Sequence, residues 1–140
     1  MTRTGESTFR VRYAETDQMG VVHHSNYVIW CELGRTDYMR QLGVDYAALE
    51  RDGLFLAVAE LQLRYGAPAR YDDEIRVLTH VERVQSRAVT FAYEVRRAAT
   101  DERLATGTTR LIATDAHGCT RTLPRAILDC FRDVTDAPAS

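Results

Sequence analysis

Residues 8–13, TFRVRY, alternate apolar and polar positions, which is the period of a half-buried strand. ETDQMG interrupts the alternation, and from Ser25 the period lengthens. SNYVIWCELGRTDYMRQLG carries Tyr27, Trp30, Cys31, Tyr38 and Leu42 close to a helical stripe, widened by Val28, Ile29, Leu33 and Met39. A helix apolar around so much of its circumference predicts burial against a sheet. Ser25 or Asn26 can cap its first N–H groups, and Gly43 stands where a left-handed stop belongs. The helix so bounded has about 17 residues and a length of roughly 25 Å at 1.5 Å per residue. Asp45 opens a shorter helical piece that ends at Gly53.

From Phe55 the chain returns to period two. LFLAVAELQLRY, EIRVLTHVERV (from Ile75), AVTFAYEVRRA (from Val89) and, less cleanly, RLATGTTRLIATD (from Leu104) predict four strands with polar turns between them. PRAILDCFRDV predicts a short amphipathic helix begun by Pro124, and TDAPAS a frayed end. The order is strand, long helix, four strands, short helix. Helices do not alternate with strands, so the class is α+β, with one sheet wrapped on one long helix and consecutive strands paired as antiparallel hairpins.

The 140 residues suit a single domain with one core. A net charge of −2 brings no basic excess of the kind nucleic-acid binding requires, although local arginines remain available for a small anionic ligand. No run reaches the roughly 20 apolar residues of a membrane span. MTRTGESTFRVRY lacks an apolar signal core, so the expected location is cytoplasmic, without membrane insertion. Cys31, Cys119 and Cys130 are odd in number and widely spaced, a poor disulfide framework with no metal-ligand spacing.

Between strand and helix lies the candidate chemistry. Asp17 follows the strand, Gly20 permits a sharp bend, Val21 and Val22 read as wall, and His23 and His24 precede the helix. The first N–H groups of that helix point outward at the positive end of its dipole, where they can stabilise a developing oxyanion. A carboxylate on one side of a carbonyl and helix N–H groups on the other can carry acyl transfer. The plain alternative is a capping Asp and two surface histidines.

RYAETDQMGVVHHSNYVIWCELGRTDYMR closely resembles the signature of hotdog-fold acyl-CoA thioesterases of the 4-hydroxybenzoyl-CoA thioesterase family, most nearly the Tol-Pal-associated bacterial branch. YGAPARYDDEIRV resembles a later segment of the same family, and the likeness spans about residues 8–131. It implies a hotdog fold, an acyl-CoA substrate and no cofactor. Asp17 would be nucleophile or general base, and the backbone N–H nearest His24 the oxyanion donor. The His24 side chain would orient groups around the thioester or help to cap the helix. His23 departs from the Tyr or Trp common there, so it either makes the acyl pocket more polar or faces outward. Tyr13 and Tyr27 match recurrent aromatics of pocket wall or core, and Trp30, Leu54 and Phe55 are further wall candidates. Glu32 and Arg35, on the long helix, match recurrent charged positions, and Glu32 is either a rival carboxylate or a structural ion pair or dimer contact. For the CoA phosphates the candidates are Arg87, Arg121 and Arg125, then Arg64 and Arg70. The likeness also implies a homo-oligomer, dimer or tetramer, with the site between subunits. An acyl-carrier-protein thioesterase and a non-catalytic acyl-CoA-binding domain are the alternative functions.

Overall fold

A computed structural model of the protein describes residues 3–135; the expected frayed end, 135–140, lies outside them apart from Thr135. Five strands, β1 (Thr4–Arg10), β2 (Phe55–Tyr65), β3 (Glu74–Gln85), β4 (Ala88–Arg97) and β5 (Glu102–Thr114), form one sheet in the order β1-β3-β4-β5-β2. Every pairing is antiparallel. The helices are α1 (Ser25–Gln41), α2 (Tyr46–Arg51) and α3 (Arg125–Asp133). The α+β, one-helix-in-a-sheet architecture is therefore the one expected.

Three particulars differ. β1 covers Thr4–Arg10 rather than 8–13, because it runs in register with β3 from Thr4↔His80 to Arg10↔Glu74. Its early residues are polar, yet Gly5 and Ser7 face the core, and the Ser7 hydroxyl donates to Asp37 on α1 at 2.7 Å. Tyr13–Glu15 then forms a 3-10 turn. Second, β2 does not pair with its successor. It lies beside β5, and only β3–β4 and β4–β5 are hairpins. Third, α1 packs mainly on β1 and β3, leaving the β2 edge of the sheet largely uncovered.

α1 buries Tyr27, Trp30, Cys31, Gly34, Tyr38 and Met39, a stripe at helical spacing. Each large apolar side chain fully buried there contributes about 1.5–3 kcal/mol. Ile29 and Leu33, expected inside, are 54% and 42% exposed, because they face the uncovered flank. The helix stops at Gly43 (φ 85°), with the Val44 N–H reaching back to the Met39 carbonyl at 2.9 Å. Asp45 caps α2 by accepting from the Ala48 N–H at 3.1 Å.

Gly34 sets how closely α1 approaches the sheet. A Cβ there would meet Thr79 Oγ1 and Val77 Cγ1 at 2.8 Å each. Gly34→Ala is therefore expected to destabilise the fold by about 1–3 kcal/mol despite the better helix propensity of Ala. Urea unfolding reads this directly, and an unchanged midpoint would show that α1 can lift from the sheet at no cost.

Candidate active site

The segment between β1 and α1 is a small closed loop. Thr16 bridges Val22, and the Asp17 N–H donates to the Val21 carbonyl at 2.8 Å. Gly20 makes the bend with φ 80°, a conformation that favours glycine. Inside the loop the Asp17 carboxylate is held by one oxygen: Oδ1 accepts from the Met19 N–H at 2.8 Å and the Val21 N–H at 3.3 Å. Oδ2 has no hydrogen bond among the described residues, and the side chain is exposed.

The anchor beneath this loop is Glu15, which sequence reasoning missed. It is buried at 4% exposure. Oε1 accepts from the Arg12 N–H at 2.7 Å and Oε2 from the Trp30 indole N–H at 2.9 Å. Its backbone carbonyl accepts from the His23 N–H and from the Asn26 side-chain amide, both at 2.9 Å. One residue thus ties the loop to the first turns of α1. The only signal in the sequence was an acid beside an apolar helix, and nothing local identifies which acid turns inward.

The start of α1 differs from expectation. His24 occupies the cap position without a side-chain hydrogen bond, and neither Ser25 nor Asn26 caps the helix. His23 does that work: its Nδ1 accepts from the Ser25 N–H at 3.2 Å and lies 2.8 Å from the Ser25 hydroxyl. The two imidazoles stack with centroids 4.3 Å apart. The His24 backbone N–H has no acceptor among the described residues, whereas its carbonyl accepts from the Tyr65 hydroxyl at 3.1 Å.

Beside that helix start is a cavity of about 300 Å³ lined by Val22, His24, Tyr27, Tyr65 and the Gly66–Pro68 segment. Tyr27 is buried, its hydroxyl accepts from the Ala69 N–H at 3.1 Å, and its ring meets Tyr65 edge-on at 5.1 Å. Burial raises the Tyr27 hydroxyl above its usual pKa, so it stays protonated at neutral pH. Tyr65 was not foreseen. It comes from the end of β2, which the fold folds back over the helix start.

The remaining candidates scatter. Tyr13 is 76% exposed and meets Tyr71, not the cavity. Trp30 is core at 2% exposure. Leu54 and Phe55 lie at the opposite end of β2 from Tyr65. Arg87 sits in the β3–β4 turn, at the far end of a 12-residue strand from the Asp17 loop. Its carbonyl accepts from the Ala113 N–H at 2.9 Å, and Arg121 packs on the same end, paired with Asp115 at 3.3 Å. Arg125 pairs with Asp129 at 3.5 Å. Within one chain, neither Arg87 nor Arg121 joins Asp17. Glu32 is exposed and has no partner among the described residues, so the expected ion pair does not form within the chain. Arg35 instead turns under α1, donating to Tyr93 Oη at 3.2 Å and Thr109 Oγ1 at 3.4 Å. Burial pushes the Cys31 thiol up to about 12, against a smaller opposing pull from Arg35, so it offers no thiolate nucleophile. Among the described residues no cluster of His, Cys, Asp or Glu could hold a metal ion, and no helix is long and apolar enough to cross a membrane.

The same architecture recurs in known proteins. A solved structure from Thermus thermophilus, a hypothetical protein, superposes with a TM-score of 0.87 at 37% identity, covering 93% of this chain and 98% of that one. The DHNA-CoA thioesterase of Staphylococcus aureus superposes at 0.89 with 31% identity, covering 94% and 90%. In sequence, a Bacillus subtilis protein named as a candidate acyl-CoA thioesterase, YneP, is 35% identical over 109 residues, 78% of this chain and 74% of that one. The Escherichia coli acyl-CoA thioester hydrolase YbgC is 32% identical over 86 residues, 61% and 64%. Residues 11–137 match the thioesterase-like superfamily. With a sheet wrapped on one helix and a match over nearly the whole chain, this protein belongs to the thioesterase-like superfamily of hotdog-fold thioester hydrolases.

Proposed function

We propose that this protein hydrolyses an acyl-CoA thioester to the free acid and CoA. The observation that carries the reading is the Asp17 carboxylate, with one oxygen fixed by two backbone N–H groups and the other free, in the loop that leads into α1. The thioester carbonyl takes its place between Asp17 and the helix start. The unclaimed His24 N–H polarises its oxygen, and the cavity walled by Tyr27 and Tyr65 receives the acyl group. Asp17 Oδ2 either attacks the carbonyl carbon, expelling the CoA thiolate and leaving a mixed anhydride for water to cleave, or takes a proton from an attacking water. The His24 ring, stacked on His23, borders the acyl cavity. Release of free thiol from a panel of short aliphatic, long-chain and aromatic acyl-CoAs tests the reading, which fails if no member is turned over.

The second subunit in this proposal comes through β2. That strand has 11 residues, pairs on one side only with β5, and contains no proline to block a partner. Val58 (54%), Leu61 (41%) and Tyr65 (50%) stand exposed on it, and Ile29 and Leu33 on α1 continue the apolar surface. A second copy pairing edge to edge covers all five. Leu61→Arg is expected to weaken association by at least about 100-fold, to the point of a monomer in light scattering, and to remove most turnover with it. An unchanged oligomer in that variant rules β2 out as the interface.

A further inference from the structure

We infer that Asn26 is a positioning residue for the hydrolysis: its side-chain amide fixes the peptide between His23 and His24 so that the His24 N–H faces the thioester oxygen; this rests on the thioesterase reading above. An amide NH2 has two hydrogens, and both are used here. Asn26 Nδ2 donates to the Glu15 carbonyl at 2.9 Å and to the His23 carbonyl at 3.3 Å. The Asn26 backbone N–H donates to the same His23 carbonyl at 3.0 Å. The Glu15 side chain is itself held by the Trp30 indole and the Arg12 N–H. The Asn26 amide is thus a strut from the floor of the Asp17 loop to the peptide that opens α1.

The strut sets where the His24 N–H points. A trans peptide directs its N–H opposite to its C=O. Asn26 draws the His23 carbonyl to one side with its side-chain and backbone donors. The His24 N–H is thereby turned to the other side, where no group among the described residues accepts it. Donors on the carbonyl also polarise the peptide, which makes its N–H a stronger donor. The next carbonyl, that of His24, is held separately by the Tyr27 N–H at 3.3 Å and the Tyr65 hydroxyl at 3.1 Å. His24 is therefore fixed on both sides.

The alternative that Asn26 prevents is a turned-over peptide. In it the His23 carbonyl faces the reacting carbonyl and places an oxygen where negative charge develops. Asn26 is only partly exposed and does not line the cavity, so it touches no substrate and acts through this one peptide. A strut that merely tied the loop to α1 would affect stability alone. A strut on the oxyanion peptide affects kcat, because the N–H counts most once charge has formed on the oxygen.

Asn26→Ala and Asn26→Asp remove both side-chain donors, and each is expected to lower kcat for a good acyl-CoA by about 100-fold with KM little changed. Asn26→Ser keeps one hydroxyl donor and is expected to recover about 10-fold of that loss. Calorimetry with a CoA thioether, which carries the alkyl chain but no carbonyl oxygen, should give the same affinity in all three variants as in the wild type. A crystal structure of Asn26→Asp is expected to show the peptide between His23 and His24 rotated. Wild-type kcat in both Asn26→Ala and Asn26→Asp overturns the assignment. So does a loss of kcat matched by an equal loss of thioether affinity, which marks damage to the pocket, or a loss of kcat with that peptide unrotated. A wild-type protein that turns over no acyl-CoA, while the peptide still rotates in Asn26→Asp, would sink the thioesterase reading and leave the strut standing.

Discussion

Replacing Asp17 with Asn is expected to lower kcat for acyl-CoA hydrolysis by about 1,000-fold with KM little changed. That loss corresponds to about 4 kcal/mol of transition-state stabilisation. Asn keeps a carbonyl oxygen at the Oδ1 position, so the Met19 and Val21 N–H groups stay satisfied and the loop should hold its shape. What disappears is the negative charge on the free oxygen, needed equally for attack on the carbonyl and for taking a proton from water. Asp17→Ala should lose as much turnover and also loosen the loop, since two N–H groups then lack an acceptor. Steady-state kinetics with circular dichroism on both variants checks this, and wild-type turnover in both on every good substrate removes Asp17 from the chemistry. Isotope label from water found in the Asp17 carboxylate after a single turnover identifies the covalent route.

The second large effect belongs to Glu15. Glu15→Ala is expected to destabilise the fold by about 3 kcal/mol, because the buried Trp30 indole N–H and the Arg12 N–H both lose their acceptor. For a chain of this size that is a fall in Tm of about 10 °C. Turnover should fall as well, although Glu15 acts only through position: it fixes the turn from which the Asp17 loop springs. Glu15→Gln separates the two roles. It retains one oxygen acceptor, so it should recover part of the stability while kcat stays depressed and KM moves little. Thermal unfolding and steady-state kinetics on the pair read both effects. If Glu15→Ala melts like the wild type, the buried carboxylate is not what holds the loop to α1.

These two acids mark the boundary between what the chain declares and what packing adds. Asp17 was legible because it sits in a recognisable local pattern: a carboxylate, a glycine bend, two valines and the start of a helix. Glu15, two residues earlier, looked like an ordinary charged residue. Its role depends on a partner fifteen positions away on the buried face of α1. His23 was similarly ambiguous between pocket and surface; in the fold it is an exposed residue whose Nδ1 takes over the cap expected of Ser25 or Asn26. The arginines expected near the CoA phosphates show the reverse case. Their basic character is plain in sequence, but strand direction sends Arg87 and Arg121 to the end of the sheet remote from Asp17, while Arg70 lands beside the loop through its bridge to Val21.

The element order, the α+β class, the limits of α1 from Ser25 to the Gly43 stop and the loop that bears Asp17 can all be read from the linear chain. These rest on hydrophobic period, capping and backbone freedom, all of which act within a few residues. It takes long-range packing to make β2 leave its neighbour in sequence and pair with β5, which frees an edge and brings Tyr65 to the His24 carbonyl across 41 positions. Packing likewise turns Arg35 under α1 to Tyr93 and Thr109, 58 and 74 positions distant. Which buried polar groups meet is set by the mutual packing of helix and sheet, and period-two or helical spacing carries no information about it.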